Sequence, residues 1–291
     1  MIADNQKADM TIRQSALVSL KNLVADQASS ENGGVMNQND WKAIRSSILD
    51  GNSLFKLALI RSCGEKKLCP TFREIIFIIA EKDYPQQWSE IVPAILEGLN
   101  IQNMQRTYAC VEALKAIVSV YGKSFSKEVS LNNLCSKIMV PLNKLTGALF
   151  QNFNEQSSLI LESIFKIFST VIYYFMPEII LANLHSWMIF IKKILDMNIS
   201  QMANLKRICL KILRRIYSYH ANKSIRRDQF PDNFHQKYSA SFLESFISQV
   251  FTKQEGDKNK ELEMISLSLS SLPLSLIHIS EPTRPLYISY A

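Results

Sequence analysis

Residues 83–92, DYPQQWSEIV, place an acid, a proline and a tryptophan directly before an apolar helical pattern. An acid near a helix start can accept hydrogen bonds from free backbone N–H groups, and proline fits a first turn because it has no N–H to lose. The apolar residues that follow have helical spacing: Ile91, Val92, Ile95, Leu96 and Leu99. We therefore predict a helix that begins near Pro85, with Asp83 and Pro85 capping it and Trp88 packed between helical hairpins.

Amphipathic helices are predicted on both sides of this segment. Between residues 11 and 24, apolar side chains recur every three or four positions. Residues 27–39 are polar and contain a Gly-Gly pair, which predicts a loop, with Asn39 or Asp40 capping the next helix. Further helices are predicted at residues 54–60, 72–80, 104–121, 131–150, 157–176, 177–196, 202–220 and 233–251.

The spacing of these helices indicates a repeated unit. Helix starts near Pro85, Leu131, Pro177 and Asn233 are roughly 45 to 55 residues apart, with two helices in each interval. A single helical hairpin cannot bury both of its apolar faces, so successive hairpins must stack. The predicted fold is therefore all-α, a HEAT-repeat-like superhelix of the armadillo type, with repeats in residues 1–122 and 123–252 and a disordered tail at 253–291.

The composition fits a helical protein with a substantial core. Hydrophobic residues make up 47% of the 291 residues, and only 8 glycines and 9 prolines interrupt the chain, too few for a turn-dense β-sandwich. The five cysteines are odd in number and scattered, which favours a reducing compartment over a disulfide framework.

Residues 206–227 form a basic segment within a net charge of +7. The segment contains eight lysines and arginines without an acid, interleaved with leucine and isoleucine, and aromatic residues lie in and after it. One interpretation is a helix with solvated cations and a buried apolar face. The alternative is a helical-repeat scaffold that binds RNA or an acidic protein through this segment, although direct nucleic-acid binding is not the expectation.

No catalytic, cofactor or metal site is predicted. Residues 122–124, GKS, lack the glycine that a phosphate-binding loop needs five residues earlier, where Ile117 stands. The histidines at 185, 220 and 235 have no carboxylate or cysteine at the spacing of a catalytic triad or zinc site. Residues 168–191 are apolar enough to suggest a membrane span, but Pro177 would break it and instead predicts two buried helices.

Several segments resemble the importin-β superfamily. Residues 12–24, IRQSALVSLKNLV, look like the second helix of its first repeat, and residues 43–45, AIR, add to the resemblance. The D-Y-P-x-x-W spacing at residues 83–88 resembles the segment that opens the third repeat in the importin seven/eight branch. Later repeats of that branch are similar to residues 165–168, followed by Pro177 and Trp187. The resemblance covers about residues 11–252.

This resemblance implies an N-terminal fragment of a nuclear transport receptor rather than an enzyme, with residues 1–122 as its N-terminal repeats. It implies binding to the small GTPase Ran in its GTP form, with cargo proteins and nucleoporins on other faces, shuttling between nucleus and cytoplasm, and no cofactor. The candidate contacts are Arg13, Lys21, Arg45 and Arg106, which are expected to point outward from amphipathic helices.

Departures from the family pattern give four further expectations. The opening helix of the first repeat is expected to be missing, and residues 63–71 resemble an insertion. Residues 198–204 are short and uncharged where the branch carries an acidic loop. Residues 274–291 look like the translation of a sequencing adapter, so they are expected to be non-native and carry no weight in the fold.

Overall fold

The computed structural model describes residues 7–29, 37–49, 67–122, 128–173, 175–197 and 202–221, together with 230, 234, 237–239 and 241–242. Within these residues the helices are α1 (Met10–Ser29), α2 (Gln38–Leu49), α3 (Cys69–Asp83), α4 (Ile91–Glu97), α5 (Met104–Tyr121), α6 (Glu128–Gln151), α7 (Glu155–Val171), α8 (Glu178–Ala182), α9 (Leu184–Asp196) and α10 (Ala203–Ala221). No strand occurs among the residues described. The all-α prediction is confirmed for this part of the chain.

Helices of the first compact unit, Met1–Trp187, pack in two layers. In one layer α3 contacts α1 and α5, and α5 contacts α7. In the other layer α4 and α6 contact α5, while α6 also contacts α7 and α8. Helix α5 therefore has neighbours on several sides, and most of its residues are buried because a helix in that position has little solvent face.

Two helix boundaries differ from the predictions for simple local reasons. Helix α1 continues to Ser29 instead of ending before a loop at residue 27, and α2 is capped by Asn37, whose Oδ1 accepts a hydrogen bond from the Asp40 N–H at 2.8 Å. The helix predicted at residues 177–196 is two helices, because the turn at Asn183 separates α8 from α9.

The largest correction concerns residues 83–92. Asp83 is the last residue of α3, not a cap of the next helix, and α4 begins only at Ile91. Tyr84 adopts an extended backbone because the following Pro85 disfavours helical geometry in the residue before it, and the Tyr84-Pro85 peptide is cis. Capping by Asp83 and Pro85 is therefore wrong, whereas the burial predicted for Trp88 is confirmed, with no exposed surface.

Helices α5 and α7 approach closely where α5 ends at Gly122. A Cβ added to Gly122 would lie 2.2 Å from Cγ2 of Thr170 and 3.3 Å from the Thr170 carbonyl oxygen. Glycine at this position therefore permits the contact between the two helices.

We predict that Gly122→Ala lowers the free energy of unfolding by about 1–3 kcal/mol, because an added methyl group overpacks this contact. Urea denaturation followed by circular dichroism measures the change. The variant Gly122→Ala/Thr170→Ser removes the clashing methyl group and should recover most of the loss. An unchanged midpoint for the single variant would contradict the close approach.

The second compact unit, Met188–Ala291, contains most of α9 and all of α10. The inner side of α10 is apolar, with Leu205, Cys209, Ile212, Leu213 and Ile216 buried. Aromatic rings form a buried cluster beside it: Phe234 packs against Tyr217 at 5.4 Å, His220 at 4.8 Å and Phe230 at 5.3 Å between ring centroids. The amphipathic helix predicted for the basic segment is confirmed over the residues of α10.

The predicted break in the apolar stretch 168–191 is also confirmed, since α7 ends at Val171 and Pro177 precedes α8. Among the residues described, no helix is both long and apolar enough to cross a bilayer. The predicted helix at 54–60, Cys63, most of 233–251 and the whole tail at 253–291 lie outside the described residues. The domain boundaries expected at 122 and 252 stay predictions.

Candidate partner-binding surface

A row of charged side chains crosses one layer of the first unit, from α1 through α3 and α5 to α7. Lys21 on α1 lies 3.6 Å from Glu74 on α3, and Arg73 on α3 lies 2.8 Å from Glu112 on α5. The hydroxyl of Ser163 on α7 donates to Glu112 at 2.5 Å. We call Lys21, Arg73, Glu74, Glu112, Lys115, Glu162, Ser163 and Lys166 the charged row. Polar contacts thus link the four helices of this layer, α1, α3, α5 and α7.

Glu112 is the buried centre of the charged row. Its side chain is 1% exposed and it pairs with both Arg73 and Lys115. Burial alone raises the pKa of Glu112, but Lys115, Ser163 and Arg73 together outweigh it and hold that pKa below its ordinary value. Glu112 is therefore an ionised carboxylate inside the layer, held by two cations.

The outer members of the row are accessible. The side chains of Lys21, Arg73 and Lys166 are 27%, 35% and 44% exposed, and that of Glu74 is 56% exposed. Lys166 pairs with Glu162 one turn away at 2.5 Å. The surface therefore presents both signs of charge, and its cations are anchored by carboxylates instead of moving freely.

A second polar cluster joins α2 to the end of α3. The Nε1–H of Trp41 donates to Asp83 Oδ2 at 2.7 Å, and Arg45 Nη1 donates to the same oxygen at 3.0 Å. Arg45 also donates to the carbonyl oxygen of Gln87 at 3.1 Å. All of Trp41, Arg45 and Asp83 are buried, so this Asp83 cluster fixes the turn at residues 84–90 against α2.

Further contacts hold the same turn. The Tyr121 hydroxyl on α5 donates to the carbonyl oxygen of Tyr84 at 2.6 Å. The Lys82 ammonium lies 5.5 Å from the centre of the Trp41 ring and donates to the Gln27 carbonyl oxygen of α1 at 2.9 Å. The D-Y-P-x-x-W segment therefore joins α2 and α5 to the end of α3, and Lys82 directly before it ties α3 to α1.

The four candidate contact residues differ in how deeply the structure buries them. Arg13 and Arg45 are buried, at 5% and 8% exposure, so the expectation that they point outward is wrong. Arg45 turns inward because Asp83 offers its guanidinium a carboxylate. Arg106 is exposed and Lys21 is half-buried at the start of the charged row. Their contact with a partner stays a prediction.

Glu112, Arg73 and Ser163 were missed by sequence reasoning. A lone acid in the apolar run 111–118, VEALKAIV, is the signal that could have identified Glu112, because a carboxylate on a buried helix needs a partner. Lys115 is a local partner three residues along the same helix, whereas Arg73 and Ser163 lie on other helices and have no local signature.

The residues described contain no group of three or more histidine, cysteine or acidic side chains placed to hold a metal ion. Cys69, Cys110, Cys135 and Cys209 are buried and are not joined in disulfide bonds. Burial raises the pKa of Cys135 to about 12 and also raises that of Cys209, so both stay protonated and unreactive at neutral pH.

Comparison with solved structures defines the class of fold. The chain is similar to the exportin Cse1 in its cargo-free, cytoplasmic state, with a TM-score of 0.75 at 12% sequence identity. The likeness covers 96% of this chain and 31% of that one. The predicted fold class, an all-α array of the HEAT-repeat type, is thereby confirmed.

The chain is also similar in sequence to a curated protein. The chain is 21% identical over 212 residues to the "Probable importin-7 homolog" of Dictyostelium discoideum, which is 71% of this chain and 19% of that protein. The chain thus spans about a fifth of the length of this relative. No family model matches it. One likeness is thus to an importin homolog in sequence, and the other is to an exportin in fold.

Proposed function

We propose that this chain is part of a nuclear transport receptor and binds the GTP form of Ran through its first compact unit. The observation that carries the proposal is the agreement of two independent likenesses, in fold to an exportin and in sequence to an importin homolog. The D-Y-P-x-x-W spacing at residues 83–88 adds support for the importin seven/eight branch.

The charged row and Arg106 are the proposed contact surface. Lys21, Arg73 and Lys166 lie on helices of one layer, and Arg106 is exposed at the start of α5 in that layer. Carboxylates hold the row's cations in place, so a partner with complementary charges would bind without first ordering long flexible side chains. Preference for the GTP form requires that Ran present a different surface in its two nucleotide states.

The remaining partners follow from the same proposal. Cargo proteins and nucleoporins would use other faces, because a stack of helical pairs exposes surface on both of its layers. A receptor of this kind would move between nucleus and cytoplasm.

We expect immobilised full-length chain to capture Ran loaded with GTP and not Ran loaded with GDP. The variants Lys21→Ala and Arg106→Ala should each weaken capture by about three- to tenfold, because each removes a contact charge without unpairing a buried one. The matched control is Lys137→Ala/Lys144→Ala, which alters exposed lysines of α6 in the other layer.

A chain that is helical by circular dichroism but captures neither form of Ran would contradict the proposed function. Equal losses in the α6 control and in the Lys21 and Arg106 variants would keep Ran as the partner but remove the charged row as its contact surface.

A further inference from the structure

Helix α10 has a strongly cationic outer side that the proposed function does not use. Its 19 residues contain Lys206, Arg207, Lys211, Arg214 and Arg215 and no acidic residue. Lys211 and Arg214 are exposed, and the other three are partly exposed. The excess of positive charge is therefore built into one element.

Packing fixes which way these charges point. The buried side of α10 is a continuous apolar stripe, so the helix cannot rotate its cations inward without exposing that stripe. Residues 207, 211 and 214 are spaced by four and three positions, which aligns them on one outer line about 10 Å long. Arg207 is held on that line by a 3.3 Å hydrogen bond from its Nη2 to Asn204 Oδ1.

The aromatic residues near this face decide between two kinds of anionic partner. Proteins that hold single-stranded nucleic acid combine cations with exposed aromatic rings on which bases stack. Here Tyr217, Phe230, Phe234 and Tyr238 are between 1% and 6% exposed and pack on one another. These four rings are part of the core and cannot stack with bases, which disfavours single-stranded nucleic acid and favours a partner that supplies carboxylates.

We propose that the outer face of α10, centred on Lys211 and Arg214, binds an acidic polypeptide segment. Carboxylates spaced along an extended or helical segment can pair with cations on a line of this length, and arginine can hold a carboxylate with two parallel hydrogen bonds. This surface belongs to the second compact unit, whereas the charged row belongs to the first.

The test uses the full-length chain and a short fluorescent oligoglutamate peptide, with binding measured by fluorescence anisotropy. We expect salt-sensitive binding, weakened about tenfold or more in Lys211→Glu/Arg214→Glu. The variant Lys211→Gln/Arg214→Gln removes the charges without reversing them and should give an intermediate loss.

The matched control is Lys137→Glu/Lys144→Glu, which reverses two exposed lysines of α6 and changes the net charge by the same amount. It should reduce peptide binding by less than about twofold, because the proposal depends on local charge and not on net charge. Circular dichroism checks that all variants keep their helix content.

Absence of peptide binding, or an equal loss in the α6 control, would overturn the proposal. Tighter binding of single-stranded oligouridylate than of the peptide, abolished by Lys211→Glu/Arg214→Glu, would replace it with a nucleic-acid surface. Capture of Ran is measured in a separate experiment, and we expect Lys211→Glu/Arg214→Glu to leave it unchanged. Failure of one proposal therefore does not imply failure of the other.

Discussion

Asp83→Ala is expected to lower the free energy of unfolding by about 3–5 kcal/mol, because it leaves a buried guanidinium without its carboxylate. Asp83 is 2% exposed and accepts hydrogen bonds from Trp41 at 2.7 Å and Arg45 at 3.0 Å. Alanine can accept neither bond, and the Arg45 guanidinium then keeps the neutral oxygens of Gln87 as acceptors. Urea denaturation followed by far-ultraviolet circular dichroism measures the loss.

Two further variants give this prediction its controls. Asp83→Asn keeps an acceptor for Trp41 but removes the charge that Arg45 needs, so its loss should be smaller than that of Asp83→Ala. Glu81→Ala removes an exposed acid two residues earlier on α3 and should change stability by less than about 0.5 kcal/mol. A loss for Asp83→Ala as small as that for Glu81→Ala would show that the Asp83 cluster does not hold the turn at residues 84–90.

Glu112→Gln is the second large effect, with an expected loss of about 3 kcal/mol. The amide cannot balance Lys115, whose side chain is only 13% exposed, and this unpaired cation dominates the cost. Arg73 contributes less because its side chain is 35% exposed and water screens its charge. Thermal or urea denaturation at neutral pH measures the loss.

Glu162→Gln is the matched control for Glu112. It makes the same chemical change in the partly exposed Glu162–Lys166 pair of α7 and should cost less than about 0.5 kcal/mol. Equal effects of the two substitutions would contradict the central position of Glu112 in the charged row.

The pH dependence of stability gives an independent readout of Glu112. Its pKa is lower in the folded chain than in the unfolded chain, so the unfolded state takes up its proton first as the pH falls. The stabilisation from Glu112 is therefore fully present at pH values above the ordinary pKa of glutamate. It is lost as the pH falls through that pKa and through the lower pKa of the folded chain. Glu112→Gln should flatten the acid side of the stability profile, whereas Glu162→Gln should leave its shape unchanged.

The sequence could predict features that depend on neighbouring residues along the chain. Helical spacing identified α5 and the amphipathic α10, and Pro177 placed the break in the apolar stretch, because a helix repeats every few residues and proline acts on its own turn. Repeated pairs of helices also predicted the all-α fold that the likeness to an exportin confirms.

The same local reasoning was wrong for Asp83 because two roles of an acid before proline look alike in sequence. An acid that caps the following helix and an acid that ends the preceding helix could both stand two positions before Pro85. The outcome depends on Trp41 and Arg45, which lie 42 and 38 positions away along the chain. Burial of Arg45 instead of solvent exposure has the same cause.

The sequence by itself determined that this chain is a set of amphipathic helices with a concentrated basic segment, because periodicity, proline and charge are local properties. Only the tertiary structure decided which charges pair between helices, as in Arg45 with Asp83 and Arg73 with Glu112, and which remain exposed, as in Lys211 and Arg214. The physical reason is that desolvation and pairing depend on distances between helices, and packing sets those distances.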